Sequence, residues 1–138
     1  MRVFTDTNVL VSGLMGHGLC RDLLDRLIIE HTVLLGAPVH KELHRILTSK
    51  FHVPSALWHV LNVRLQALEQ APAASASPTI PIADPDDILI LACALSAKAD
   101  VILTGDQLLL GLKKIERIPI LSPRQTWQLL VAPEKKPG

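Results

Sequence analysis

Aspartates 6, 87 and 106, together with Glu42, are the residues of this 138-residue chain whose type and placement could do chemistry as a group. Each lies where a strand-like run gives way to a turn or helix. Carboxylates gathered on one edge of a fold repel one another, which raises their pKa values and costs stability unless a cation sits between them. Hard oxygen ligands of this kind suit Mg²⁺ or Mn²⁺ rather than zinc. Such a centre can activate a water, neutralise a phosphate and stabilise a leaving oxygen, which is what phosphodiester hydrolysis requires. No side chain stands in the setting of a covalent nucleophile. Ser12, Ser96 and Ser122 all lack a nucleophile-elbow context.

The elements that would position these acids follow from the hydrophobic pattern. Compact apolar runs at 2–5, 32–36, 79–82, 100–103 and 118–121 read as strands. Helical spacing marks 19–30, a helix opened by Pro38 and reaching about 49, and a stripe of Leu57, Leu61, Leu65 and Leu68 after Pro54. Further helices follow Asp84-Pro85-Asp86-Asp87, Asp106 and Pro123; residues 9–18 begin as a helical turn and loosen into a Gly-rich connection, and 71–77 is a small-residue loop. Alternation of strand and helix predicts an α/β fold, three layers α/β/α around a central parallel sheet of about five strands. One domain is expected over 1–131, with a flexible C-terminal tail at 132–138.

In such a sheet, ligands bind beyond the carboxyl ends of the strands. Asp6 follows strand one, Glu42 lies early in the helix after strand two, Asp87 opens the helix after strand three, and Asp106 lies just beyond strand four. Each acid alone has a plainer role. Asp6 could close a turn, Glu42 could pair with Lys41 or Arg45, and Asp87 could favour a helix dipole. Asp106 could cap a helix, and Asp84 and Asp86 read most simply as turn and N-cap residues. Convergence of four distant segments on one edge is what favours a metal site.

Bulk properties narrow the field. Hydrophobic residues make up 49% of the chain but aromatics only 3%, so the core must be aliphatic, and the surplus could cover a second subunit. A net charge of +1 is not the footprint of a protein that holds nucleic acid by bulk charge, and scarce aromatics argue against a base-stacking platform. Local cations remain. Lys41, Arg45 and Lys50 lie on or near the Glu42 helix, and Lys113, Lys114 and Arg117 follow Asp106; either group could contact substrate phosphates or be an ordinary solvated face. Cys20 and Cys93 sit in apolar helical patterns and read as buried reduced thiols. No run approaches the ~20 apolar residues needed to span a bilayer, and the start does not read as a signal peptide, so a soluble cytoplasmic protein is expected.

Two patterns are set aside. His40 and His44 share a helix face at a spacing that can bind zinc, but the order is not that of a metalloprotease. Gly13, Gly16 and Gly18 are followed by no Gly-Lys-Ser/Thr and do not make a phosphate loop.

The segment Asp6-Thr7-Asn8-Val9 after the first strand, Glu42-Leu43, Asp87 followed by Ile-Leu-Ile-Leu-Ala, and Thr104-Gly105-Asp106 after the run 99–103 resemble those of PIN-domain proteins. The likeness is strongest to the compact toxins of prokaryotic toxin–antitoxin systems and covers about residues 1–130. It implies a Mg²⁺- or Mn²⁺-dependent ribonuclease that leaves 5′-phosphate and 3′-hydroxyl ends. Asp6, Glu42, Asp87 and Asp106 would be the acidic metal-site residues, with Asn8 and Thr104 as polar supporting positions. An RNA substrate, a cognate antitoxin and a homodimer would be the partners, with no membrane. Asp87 is chosen over Asp86 because the family acid directly precedes the apolar helical run. Ala37 departs from the pattern, standing where many relatives carry a small hydroxyl residue. Rival readings are another Mg²⁺-dependent phosphohydrolase on a similar sheet, or a non-catalytic PIN fold that binds RNA or a protein. A phosphatase would want a second aspartate where Asn8 stands, and a receiver-type domain an acidic pair and a lysine that are not evident.

Overall fold

Strand β1 (Arg2–Thr5) takes the centre of the sheet because its side chains are apolar on both faces, and Val3 and Phe4 are fully buried. The computed structural model describes residues 1–74, 80, 82 and 84–131. After β1 come α1 (Thr7–Met15) and α2 (Leu19–Glu30), then β2 (Thr32–Gly36), α3 (Ala37–Ser49), α4 (Ser55–Gln66) and β3 (Glu69–Ala71). Helix α5 (Pro85–Ser96) leads to β4 (Val101–Leu103), α6 (Gln107–Gly111), β5 (Lys114–Ile115), β6 (Ile118–Leu121) and α7 (Pro123–Thr126). The chain then winds more loosely through a π-helical turn, Trp127–Val131.

The strand order is β3-β2-β1-β4-β6-β5. Every pairing from β3 to β6 is parallel, and β5 adds a two-residue antiparallel edge to β6. The fold is thus the expected three-layer α/β/α architecture, with five parallel strands and one short antiparallel addition. The core is aliphatic, with Phe4 as its buried aromatic centre among Leu23, Leu27, Leu34, Leu91 and Ile102. Packing there is close. A Cβ on Gly36 would lie 2.7 Å from the Phe4 ring and 3.1 Å from Cys93 Sγ, so the end of β2 has room only for glycine. No helix among the described residues is long and apolar enough to cross a membrane.

One expected strand moves. The third parallel strand is Glu69–Ala71, in register with Leu34 to Gly36, rather than 79–82. Of that run, Ile80 and Ile82 are described, and the Ile82 amide bonds the Ile80 carbonyl at 2.8 Å, a local turn that an extended strand cannot make. Residues 79 and 81 lie outside the described residues, as does the expected tail at 132–138. Residues 9–15, expected to loosen after one turn, remain helical to Met15, and the turn into α2 falls at Gly18, where φ is +100°.

Candidate metal centre

From β1 the chain runs outward to β2 on one side and, later, to β4 on the other, so the sheet's order reverses between β1 and β4. The carboxyl ends of these strands therefore flank a crevice left by helices departing in opposite directions. Asp6 and Thr104 are the first residues past those two ends. The Asp6 amide bonds the Leu103 carbonyl at 2.9 Å, which fixes β1 against β4 at the mouth of the crevice.

Asp6 is only 5% exposed and both of its carboxylate oxygens are engaged. Oδ1 accepts the Thr7 amide at 2.8 Å and so caps α1, while Oδ2 accepts the Thr104 hydroxyl at 2.7 Å. The Thr104 hydroxyl in turn accepts the Asp106 amide at 3.0 Å, and the Thr104 amide is anchored on the Leu121 carbonyl of β6. A relay thus runs from the Asp106 backbone through Thr104 to Asp6. Thr104, expected as a polar supporting position, spends its single hydroxyl proton on Asp6 and so positions that carboxylate.

Asp106 is half-buried and caps α6 through one oxygen, Oδ1, which accepts the amides of Leu108 at 2.8 Å and Leu109 at 3.4 Å. Asp84 is the N-cap of α5, accepting the Asp86 amide at 2.9 Å. Within the first turn of that helix Asp86 is exposed and Asp87 half-buried. Glu42, half-buried on α3, lies between exposed Lys41 and buried Leu43. Asn8 is exposed on the first turn of α1.

These acids come from four segments and act on one another. Burial raises the Asp6 pKa and the charge of Asp106 adds to it, against the hydrogen bonds from Thr104 and Thr7 that lower it. Burial also raises Glu42, followed by the charge of Asp6, with Asp86 and Asp84 adding and Arg45 opposing. Asp87 is pushed up to about 6, first by burial and then by the charges of Asp84, Asp106, Asp6 and Glu42. Among the described residues, no three acidic, histidine or cysteine side chains close tightly enough to ligate an ion by themselves. The donors are oxygens only and spread apart, which fits a cation that keeps part of its water shell and does not fit a closed zinc cage.

The cations expected nearby divide between two places. Lys41 and Arg45 line a cleft with Glu42, His44 and Asp86. Lys113 lines a separate groove with Ser122, Arg124 and Gln125, and Lys114 is exposed on β5. Arg124 was not singled out in the sequence. Its signal was Ser122-Pro123 directly after a strand, an N-cap and first-turn pair that delivers the next residues to the sheet's carboxyl edge. The two set-aside histidines are structural: His40 Nε2 bonds Asn62 Oδ1 at 2.7 Å, and both rings pack on Trp58.

A family model described as the PIN domain matches residues 2–108, a span holding all four acids. No curated protein matches the chain. Among solved structures, the chain is similar to one from the crystal structure of VapBC2 from Rickettsia felis bound to a DNA fragment from the promoter. The TM-score is 0.65 at 18% identity, over 88% of this chain and 98% of that one.

Proposed function

The chain belongs to the PIN-domain family, and from that premise we propose that it is a Mg²⁺- or Mn²⁺-dependent endoribonuclease, the toxin of a toxin–antitoxin pair. The observation that carries the reading is the convergence of Asp6, Glu42, Asp87 and Asp106 toward the sheet's switch point, where burial and then the charges of neighbouring acids raise the pKa values of Asp6, Glu42 and Asp87. Residues 1–131 would form the nuclease domain, and a single-stranded or structured RNA would be the substrate.

When bound, the metal would supply Lewis acidity toward a phosphate oxygen and an activated water. Asp6 and Asp106 would hold it, each already fixed by the helix it caps and by the Thr104 relay. Glu42 and Asp87 would complete the shell or position the attacking water, and a carboxylate near pKa 6 is matched to accepting a proton at neutral pH. Low exposure of Asp6 keeps bulk water from competing at the anchor.

Purified protein is expected to cleave RNA with Mn²⁺ and to stop in EDTA. Asp6→Asn, which keeps an N-cap oxygen, should lower the rate about a hundred-fold or more while leaving the circular dichroism spectrum unchanged. Cleavage that survives this change would remove the metal centre, and an inert pure protein would favour a binding role instead. An antitoxin is part of the same proposal, as is a homodimer, for which light scattering should return about twice the 15.1 kDa chain mass.

A further inference from the structure

Two of the four acids, Glu42 and Asp87, lie in the early turns of α3 and α5, and further along both helices change character. On α3, Glu42 is flanked by Lys41 and followed by His44 and Arg45, all three of them exposed; on α5, Asp86 and Asp87 give way to Leu89, which is 48% exposed, and Ile90. With Pro38, all of these but Asp87 line a cleft of about 420 Å³ between the helices, and Glu42 and Asp86 form its acidic end. Arg45 is near enough to that end to lower the Glu42 pKa. The His44 ring forms a fixed wall, packed on Trp58 at 4.4 Å, with His40 on the same indole at 5.7 Å.

We infer that this cleft is the subsite for one nucleotide of single-stranded RNA next to the phosphate being cut, with its phosphate on Lys41 and Arg45 and its base against Leu89 and Pro38. The inference rests on the ribonuclease reading above. A centre of four carboxylates repels a polyanion, so the substrate must be held by cations set just outside it. Lys41 and Arg45 stand there, on the helix that supplies Glu42. The volume lies within the range of small-molecule sites, about 300–1,000 Å³, and is far too small for a duplex. A duplex also keeps its bases stacked inside, whereas an apolar floor beside cations suits an unstacked base and its backbone.

The test uses full-length protein carrying Asp6→Asn, so that binding is read without cutting. A short fluorescein-labelled single-stranded RNA is titrated by anisotropy between about 50 and 200 mM salt. Lys41→Ala and Arg45→Ala should each weaken binding and reduce the slope of log affinity against log salt by about 0.7. Leu89→Ala should weaken binding about three-fold with the slope unchanged, because it removes apolar contact and no charge. The same RNA annealed to its complement should bind more weakly and lose nothing further in Leu89→Ala. If the Asp6→Asn protein binds no RNA at all, the substrate reading itself fails. If it binds RNA but the three cleft variants match it, the ribonuclease reading stands and this subsite is overturned. Cleft variants that halve the mass in light scattering would also overturn it, since the cleft would then be covered by a second copy of the chain.

Discussion

Asp87 carries the largest pKa displacement that can be given a value, to about 6, because burial and four neighbouring carboxylates all act in one direction. Its consequence for stability has a definite sign. Unfolded, the group titrates near the ordinary ~3.9 of aspartate. The folded protein binds the proton more tightly, so the stabilisation from this group is full below the unfolded value and is lost as pH rises through about 6. In EDTA, the thermal midpoint should therefore fall between about pH 4 and pH 6.5, and Asp87→Asn should flatten that decline. An unchanged profile in the variant would show that the repulsion lies elsewhere. The sequence favours Asp87 over Asp86 because the apolar run begins directly after it, and of the two Asp87 is the half-buried one. The role of Thr104 was not legible. A threonine before Gly-Asp says nothing of a hydroxyl proton being given to an aspartate 98 positions earlier.

At the scale of elements, strands with apolar residues on both faces were readable because burial on two sides leaves a continuous apolar run. Strands β1, β2 and β6 fall where that pattern places them. Strand β3 had no such mark. Its residues Glu69 and Gln70 are exposed and only Ala71 is buried, so pairing with β2 creates the strand, while the more β-prone 79–82 attracted the assignment. Strand β5 is two residues long and exists through a tight reversal with Glu116 at φ +51°. The end of β2 yields a sharper test. Gly36→Ala would place a methyl against a Phe4 ring with no exposed surface and nowhere to move, and should cost about 1–3 kcal/mol in urea unfolding. Gly111→Ala, where a Cβ meets nothing within 4 Å, should leave the midpoint unchanged or slightly raised. Equal effects would mean that the packing at Phe4 yields.

For the molecule as a whole, ionising the buried acids opposes folding, and on the proposed reading a bound cation would offset that cost. A ligand that binds only the folded state adds stability by mass action, about 2.7 kcal/mol at a hundred-fold excess over Kd. Mg²⁺ or Mn²⁺ should accordingly raise the thermal midpoint, and Asp6→Asn should remove most of the rise. A metal shift equal in both proteins would detach stability from the site. The architecture and the edge on which the acids gather were legible because alternating strands and helices permit few arrangements. The division of the cations into two groups was legible too, but the meeting of Arg124 with Lys113 in one groove was not, since it depends on how α7 lies against the sheet.

All four acids are encoded before residue 107, yet Thr104, whose hydroxyl steadies Asp6 and the Asp106 amide, has its own amide held by the Leu121 carbonyl. During synthesis the chain would thus carry every candidate ligand before it carries the strand that anchors Thr104, and through it Asp6 and Asp106. Assembly of the centre waits on one of the last segments to be made, so a copy ended just after residue 106 holds all four candidate ligands without the strand that anchors Thr104.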